Sequence, residues 1–449
     1  MDKRYKQSRY NFFFDAEDGT HLAFNAMSGG LAIIEDGNRD EVQRILADPN
    51  SYRSDTEEKK RLWDSLLKGG FLIEKERDEL AVLKMRNRVG RFNTDSFGLI
   101  IMPTLQCNFR CVYCYESFPN ISMKPEIEEG IVRWVRERTR FVKTFHVSWF
   151  GGEPLLRFDV IKRLGSEFKK IAEDRGCQYG MSITTNGYLL DEEKIKQLVP
   201  LDLQRVQVTL DGPPEVHDRR RPLANGRGTF NQILENLVAL DRLAPQVHIT
   251  LRVNFDKTNL MYVPQLLHIL PQGLRDRAGI YFRHVFSYHR NWSDMKCEKL
   301  ANPSQNIAEL QKKSIMSDFR HDPADSIGPM AAYCYADYWN RFVVGPEGNL
   351  YKCTVAIEPG DRVGYITPHG KAHTTPLLEK WASVDPFEDE ECRNCKWLPV
   401  CMGGCSRPRV YGEAKVCFIE QGAAKEQLNN IYWQFKKEAQ KLAALSVAL

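Results

Sequence analysis

Apolar and polar positions along the middle of the chain predict short buried strands separated by amphipathic helices. Six apolar runs are predicted as strands, at residues 99–105, 144–150, 181–185, 206–210, 249–254 and 280–285. Apolar residues at helical spacing predict helices at residues 126–141, 160–174, 192–198, 230–243 and 262–270. This α/β alternation favours a parallel sheet with right-handed crossovers, and six units predict a partial (β/α)6 barrel. Its functional site should lie at the C-terminal ends of the strands.

The first ninety or so residues follow a different pattern. Residues 12–14 and 21–24 are predicted as paired strands around a turn at residues 17–19. Residues 41–46 and 60–67 are predicted as amphipathic helices, and the second ends at two glycines before an apolar run at residues 71–73. This winged-helix-like layout could bind DNA or only pack against the barrel.

Length, charge and apolar runs limit the number of domains, the partners and the cellular location that we expect. A chain of 449 residues with 42% hydrophobic content predicts two or three domains. The net charge is only +4 and basic residues cluster briefly, at residues 219–221, so we expect no nucleic-acid partner. The start lacks an apolar signal region, and no run approaches the roughly 20 apolar residues of a membrane span, so we expect a cytoplasmic protein. Residues 431–449 are predicted as a packing helix without chemistry.

Three cysteines directly follow the first predicted strand. Cys107, Cys111 and Cys114 have the spacing C-x3-C-x2-C. Three thiolates on one loop can hold three irons of a [4Fe-4S] cluster and leave the fourth iron open to another ligand. Half of a zinc site is the alternative interpretation.

Polar motifs follow the next predicted strands. The glycines of Gly151-Gly152-Glu153-Pro154 allow close backbone approach, and the carboxylate can receive an ammonium group. Residues 184–187 end the third strand, although Asn-Gly is also a common turn. Asp211 follows the fourth strand, and Arg252 lies on the fifth, where a structural ion pair is an alternative to ligand binding.

Seven cysteines occupy the C-terminal part: Cys334, Cys353, Cys392, Cys395, Cys401, Cys405 and Cys417. A zinc ribbon is the alternative, but seven thiolates exceed one zinc site. Two fully ligated [4Fe-4S] clusters need eight thiolates, so one iron would be open to a substrate thiolate or filled by Cys297 or a non-cysteine ligand. Cys177 and Cys297 are otherwise predicted to be plain buried thiols.

Together these motifs resemble the radical S-adenosylmethionine (SAM) enzymes, with Tyr113 as the aromatic residue before the third cysteine, and the C-terminal cysteines resemble their SPASM extension. The resemblance implies that Cys107, Cys111 and Cys114 carry the catalytic cluster. It implies three [4Fe-4S] clusters in all, with Cys392, Cys395, Cys401 and Cys417 on one auxiliary cluster and Cys334, Cys353 and Cys405 on the other. It assigns SAM-binding roles to Tyr113, Gly151, Gly152, Glu153, Pro154, Thr185, Asn186, Asp211 and Arg252. Glu153 would bind the SAM amino group.

The resemblance also implies an organisation into four parts. Residues 1–93 would form a winged-helix-like domain that recognises a precursor peptide, and residues 94–325 a partial (β/α)6 TIM-like barrel. Residues 326–430 would form the SPASM domain, and residues 431–449 a C-terminal helix.

The expected activity is an oxidative crosslink in a ribosomally made precursor peptide, either a thioether or a carbon-carbon bond, installed through a 5′-deoxyadenosyl radical. The expected partners are the precursor peptide with its leader and an electron donor such as flavodoxin or ferredoxin. Sulfatase maturation to formylglycine is an alternative, although that class has an aspartate where this chain has Thr354. The cysteine pattern is also compatible with a non-enzymatic iron-sulfur electron carrier and with a DNA-binding iron-sulfur regulator.

Overall fold

The computed structural model describes residues 4–287, 295–321, 327–417 and 421–447. Packing divides the chain into two units. The terminal unit contains residues 1–92, 326–338 and 383–449, and the barrel unit contains residues 93–325 and 339–382. The terminal unit thus combines the N-terminal segment with six of the seven C-terminal cysteines, whereas Cys353 belongs to the barrel unit. The four-domain division remains a prediction, and its boundary at residues 325 and 326 lies outside the described residues.

The N-terminal segment contains two small antiparallel sheets and three helices. Its elements are β1 (Tyr5–Gln7), β2 (Asn11–Asp15), β3 (His21–Asn25), β4 (Leu31–Ile34), α1 (Arg39–Ala47), α2 (Glu57–Lys68), β5 (Leu72–Glu74) and α3 (Glu79–Arg91). Strands β2, β3 and β4 form one sheet in that order, and β1 pairs with β5 in the other. The paired strands and both amphipathic helices predicted here are confirmed, whereas β4 and α3 were not predicted.

Strand β3 of the three-stranded sheet is buried on both faces, because successive side chains of a strand point to opposite faces. Ala23 faces a cluster with Val42 and Ile45 of α1 and Leu66 of α2. Residues on the opposite face, including Phe24, join a second cluster described below. Both faces of a short strand are therefore buried, as its near-continuous apolar sequence requires.

The barrel unit begins with alternating strands and helices. Its strands are β6 (Ser96–Ile101), β7 (Thr144–Trp149), β8 (Gln178–Thr185), β9 (Leu203–Thr209), β10 (His248–Phe255), β11 (Gly279–His284) and β12 (Arg320–His321). Its helices are α4 (Pro125–Arg138), α5 (Phe158–Arg175), α6 (Glu192–Leu198), α7 (Pro214–Arg220), α8 (Phe230–Leu243), α9 (Val263–Ile269), α10 (Gln272–Arg277) and α11 (Pro303–Met316). The predicted mixed α/β fold around a parallel sheet is confirmed.

Strands β6 to β12 are parallel and neighbour one another in chain order. The first predicted strand begins and ends too late, since β6 stops at Ile101. Pro103 has no N–H for a strand ladder, and residues 103–105 turn away to bond with residues 121–123. Leu105 N donates to Ile121 O at 3.0 Å, and Met123 N donates to Pro103 O at 2.8 Å.

The same sheet continues beyond β6 with strands that were not predicted. These are β13 (Arg341–Val344), β14 (Asn349–Tyr351), β15 (Gly364–Ile366) and β16 (Ala372–Thr374), followed by α12 (Pro376–Ser383). Strand β13 is parallel to β6, and the following pairs are antiparallel. Cys353 lies in the turn that follows β14.

The C-terminal part of the terminal unit is helical. It contains α13 (Glu390–Asn394), α14 (Leu398–Cys401), α15 (Ser406–Val410) and α16 (Gln421–Val447). The helix predicted at residues 431–449 is part of α16, and its last two residues lie outside the described residues. No helix in the described part of the chain is long and apolar enough to cross a membrane.

The N-terminal sheet and the cysteine-rich segment share one hydrophobic core. Phe24 and Tyr10 pack with Cys392, Leu398 and Leu428 in a buried cluster. At its edge, the Trp397 ring stacks on Phe12 with ring centroids 4.1 Å apart. The fold of the cysteine-rich segment therefore depends on the N-terminal sheet.

We predict that Phe24→Ala destabilises the terminal unit by roughly 3–5 kcal/mol, because it leaves a cavity in this shared core. Phe24 is 2% exposed. Urea unfolding followed by tryptophan fluorescence measures the loss. The matched control is Phe141→Ala, since Phe141 is 86% exposed and its removal should cost less than about 0.5 kcal/mol. Equal effects of the two substitutions would contradict the shared core.

Candidate active site

The cysteine loop follows β6 at the C-terminal end of the barrel strands, and backbone hydrogen bonds hold it on both sides. On one side, Gly152 N donates to Thr104 O at 3.2 Å and Glu153 N donates to Gln106 O at 2.8 Å. On the other side, Arg110 N donates to Pro222 O at 2.9 Å and Val112 N donates to Arg220 O at 3.0 Å. The glycine motif after β7 and the segment after β9 therefore both contact the cysteine loop.

Gly151 and Gly152 are glycines because the loop backbone lies against them. Gly151 has φ = 123°, a conformation that side chains rarely adopt. A Cβ at Gly152 would lie 2.1 Å from Gln106 O, and one at Gly151 would lie 2.5 Å from Thr104 O. Pro154, the last residue of this motif, is buried at the start of a short helical turn. The close approach predicted for the two glycines is thus an approach to the cysteine loop itself.

The Glu153 carboxylate is buried and accepts three hydrogen bonds. Its donors are Leu155 N at 3.0 Å, Thr185 Oγ1 at 2.7 Å and Asn186 N at 2.7 Å. Burial raises the pKa of Glu153, while these donors oppose that shift. A carboxylate has about four acceptor positions, so one position is left for an ammonium group. The predicted amino-group contact therefore fits, although the carboxylate mainly ties β7 to β8.

Asn186 links this part of the site to the first cysteine. Its Nδ2 donates to Asn108 Oδ1 at 2.7 Å and lies 3.9 Å from Cys107 Sγ. Phe109 N also donates to Cys107 Sγ at 3.4 Å. Hydrogen bonds to sulfur stabilise a thiolate and tune the potential of a cluster bound to it.

The three thiols are half-buried neighbours, and this donor set fits an iron-sulfur cluster. Burial raises the pKa of Cys107 to about 12, with Cys111 as a neighbouring charge, and it raises the pKa of Cys111 and Cys114 as well. Within the described ranges, no three possible metal ligands converge on one ion position. That arrangement is compatible with a cubane cluster, because each thiolate of such a cluster binds a different iron.

Tyr113 and Asp211 are hydrogen-bonded to each other. Tyr113 Oη donates to Asp211 Oδ2, and accepts from Arg221 Nη1 at 2.7 Å and from Asn254 Nδ2 at 3.1 Å. Asn254 N donates to Asp211 Oδ1 at 2.8 Å. The structure thus joins the third-cysteine turn to the ends of β9 and β10.

Arg252 faces the interior of the barrel beside this group. Its Nε donates to Asn254 Oδ1 at 2.8 Å, and its guanidinium lies 6.0 Å from the centroid of the Tyr281 ring. Among the described residues Arg252 forms no ion pair, so the alternative of a structural ion pair is not supported. Binding of an anionic ligand by Arg252 remains a prediction.

The C-terminal cysteines of the terminal unit form two neighbourhoods. Burial raises the pKa of Cys401 to about 11, and Cys395, Cys392 and Cys417 are its neighbouring thiol charges. The backbone N–H of Cys334 donates to Asp337 Oδ2 at 3.0 Å. Ser406, which follows Cys405, donates from Oγ to Asp337 Oδ1 at 2.6 Å. This grouping parallels the two ligand sets implied by the resemblance, which remain predictions.

The two unassigned cysteines are buried. Cys177 lies at the end of α5, with its thiol 3.6 Å from Gln178 O. Cys297 packs with Val285 and Met295 against Val112 and Tyr113 of the cysteine loop.

Several residues of the site were not predicted. Asn108 bonds to Asn186, and Asn254 bonds to Tyr113. Glu116 has a buried Oε2 without a hydrogen-bond partner among the described residues. Burial raises the pKa of Glu116 to about 8. Asn254 could have been predicted from its position, because residues two apart in a strand lie on the same face and Asn254 follows Arg252 by two in a largely apolar strand.

Comparison with known proteins identifies the class. A family model described as the radical SAM superfamily matches residues 101–267, which span the cysteine loop and strands β7 to β10. A GTP 3′,8-cyclase from Campylobacter jejuni is 35% identical over 321 residues, covering 65% of this chain and 95% of the relative. The chain belongs to the radical SAM superfamily and is an enzyme. Membership implies SAM and an iron-sulfur cluster as cofactors, which the thiol triad of Cys107, Cys111 and Cys114 fits.

One further related protein and two solved structures are also similar to this chain. A cysteine-type anaerobic sulfatase-maturating enzyme from Clostridium novyi is 26% identical over 343 residues, covering 70% of this chain and 88% of the relative. Among solved structures, anSMEcpe with bound AdoMet and Kp18Cys peptide has a TM-score of 0.55 at 20% identity, covering 79% of this chain and all of that one. Streptococcus suis SuiB has a TM-score of 0.52 at 15% identity, covering 92% of this chain and all of that one. These two structures share the fold.

We predict that Gly152→Ala weakens SAM binding at least about 10-fold, because the added Cβ must displace the loop backbone at Gln106. Isothermal titration calorimetry on the anaerobically reconstituted protein measures the affinity. The control is Gly360→Ala in the same unit, because a Cβ there meets nothing within 4 Å. Unchanged SAM affinity in Gly152→Ala would show that the close approach does not shape the site.

Proposed function

We propose that this enzyme installs an oxidative crosslink, a thioether or a carbon-carbon bond, in a ribosomally made precursor peptide. The observation that carries the proposal is the terminal unit, in which a three-stranded sheet shares a core with the cysteine-rich segment. A peptide bound by the sheet and a metal centre bound by Cys392, Cys395, Cys401 and Cys417 would belong to one folded body.

The sheet offers an edge for an extended leader. Within the described residues, β4 pairs only with β3, so its outer N–H and C=O groups are available to a further strand. Ile33 on β4 is 56% exposed. Main-chain hydrogen bonds to such an edge give affinity, and pockets for alternate side chains give specificity.

The extent of the structural similarity supports a precursor peptide over a sulfatase. SuiB covers 92% of this chain, against 79% for anSMEcpe. SuiB has also been solved bound to its precursor peptide SuiA, with a TM-score of 0.50 at 14% identity. The greater coverage favours the SuiB-like organisation, in which a precursor peptide is the bound partner.

The proposed cofactors are SAM and three [4Fe-4S] clusters. When bound, SAM and the cluster on Cys107, Cys111 and Cys114 supply a 5′-deoxyadenosyl radical that removes a hydrogen atom from the substrate. The seven C-terminal cysteines would hold two auxiliary clusters, which suit the removal of a second electron during crosslinking. The electron donor would be a flavodoxin or a ferredoxin.

The residues of the chain position these groups and keep water out. The Glu153 carboxylate and the Thr185 and Asn186 groups bonded to it form a dry wall beside Cys107, since all three residues are at most 7% exposed. Arg252 presents a cation to the barrel interior, where an anionic group of SAM or substrate would bind. Fixed donors in a water-poor site hold the reacting groups in place without reorganisation.

Sulfatase maturation is the second candidate. It is favoured by the 26% identity to the sulfatase-maturating enzyme over 88% of that relative's length. Thr354 argues against it, because threonine cannot take the place of a carboxylate base.

We predict that the two cysteine groups have separable roles. Cys107→Ala should abolish reductive SAM cleavage, whereas Cys392→Ala should leave cleavage measurable but abolish peptide crosslinking. Mass spectrometry of 5′-deoxyadenosine and of the peptide measures the two activities. Cys177→Ala is the matched control, because this buried thiol lies outside both groups and should change neither activity. Crosslinking that survives Cys392→Ala would refute a role for the auxiliary cysteines.

We predict that the genuine precursor peptide loses two hydrogens when incubated with reconstituted enzyme, SAM and reductant. A peptide carrying the sulfatase cysteine motif serves as the comparison. Conversion of that cysteine to formylglycine, with unmodified precursor, would reverse the choice between the two candidates. Tandem mass spectrometry distinguishes a thioether from a carbon-carbon bond in the product.

A further inference from the structure

The hydroxyl group of Tyr113 has no hydrogen-bonding capacity left for a ligand. A phenol has one proton to donate and two lone pairs to accept with. The proton goes to Asp211, and the lone pairs receive Arg221 Nη1 at 2.7 Å and Asn254 Nδ2 at 3.1 Å. All three positions are filled by side chains of the same unit.

Asp211 makes four hydrogen bonds, two through its carboxylate and two through its backbone. Its two carboxylate oxygens accept from Tyr113 Oη and from Asn254 N. Its backbone oxygen accepts from Asn259 Nδ2 at 2.7 Å, and its N–H donates to His217 Nδ1 at 3.2 Å. Asp211 is fully buried. Such a residue is placed to hold neighbouring segments together rather than to contact a cofactor.

We propose that Tyr113, Asp211, Arg221 and Asn254 form a latch that positions the cysteine loop, so that Tyr113 and Asp211 act on SAM binding indirectly. The latch joins the turn between Cys111 and Cys114 to the ends of β9 and β10. The position of the cluster relative to the Glu153 and Asn186 wall is thereby set by the rigid sheet instead of by the loop.

Charge balance explains why the latch can be buried. The Arg221 guanidinium, 6% exposed, is paired through the Tyr113 hydroxyl with the Asp211 carboxylate, so opposite charges offset each other within one hydrogen-bonded group. The backbone oxygen of Arg221 also belongs to this assembly, since it accepts from Thr229 Oγ1 at 2.8 Å. Thr229 Oγ1 in turn lies 3.1 Å from His217 Nε2, which closes the ring of contacts around Asp211.

Tyr113→Phe tests the latch, because it removes the hydroxyl and keeps the ring. It leaves Asp211 Oδ2, Arg221 Nη1 and Asn254 Nδ2 without this partner. We expect iron content to match the wild type, SAM affinity to fall about 10-fold, and the electron paramagnetic resonance spectrum of the reduced cluster with SAM to change. The matched control is Tyr179→Phe, since Tyr179 is a half-buried tyrosine on β8 whose buried hydroxyl has no hydrogen-bond partner among the described residues. An unchanged affinity and spectrum in Tyr113→Phe would overturn the proposal.

If the Tyr113→Phe protein binds iron poorly, a double-mutant cycle with Asn254→Ala still tests the latch. Asn254→Ala removes one donor to the hydroxyl and should weaken SAM binding about 3-fold in the otherwise wild-type protein. Its effect should be smaller in the Tyr113→Phe background, because the shared contact is already lost. Equal effects in the two backgrounds would show that the residues act independently and would overturn the latch. The test uses SAM alone, so it is independent of whether the peptide proposal holds.

Discussion

The site depends on backbone hydrogen bonds that hold an irregular cysteine loop between two neighbouring segments. A loop without secondary structure must find partners for its buried N–H and C=O groups. Here the partners are the backbone at residues 152 and 153 on one side and at residues 220 and 222 on the other. The three thiols are consequently presented from a frame that is as fixed as the sheet beneath it. The glycine motif and the cysteine motif are two halves of this contact, because Gly152 is confined by the carbonyl groups of Leu105 and Gln106.

Burial of charge is the second constraint. Arg220 and Arg221 are at most 6% exposed, as are their acidic neighbours Asp256 and Asp211. Arg220 Nη2 lies 2.7 Å from Asp256 Oδ2. Buried ion pairs contribute little net stability, but loss of one partner leaves an uncompensated charge and is costly. These pairs therefore favour a single arrangement of the segment after β9, which is the segment that contacts the cysteine loop.

The sequence predicted the features that depend on residues close to one another along the chain. Strand and helix periodicity located β7 to β11 and the helices α4, α5, α6, α8 and α9, but missed the short helices α7 and α10. Cysteine spacing located the loop. It could not predict that Tyr113 bonds residues 98, 108 and 141 positions away, because side-chain pairing across a barrel leaves no periodic signal. Strand β13 was missed for the same reason, since its four residues become a strand only by pairing with distant β6.

Sequence identity to the relatives does not by itself reveal the substrate of this enzyme. The matched relatives include a GTP cyclase and a sulfatase-maturating enzyme, and both align over about two thirds of this chain. In our proposal, the cysteine loop, the glycines and the Glu153 wall serve the radical chemistry, which is common to such enzymes whatever carbon is attacked. The terminal unit holds six of the C-terminal cysteines and a sheet whose strand β4 pairs on one side only among the described residues. Substrate choice is therefore best sought there, and a peptide is the ligand for which an open sheet edge has complementary chemistry.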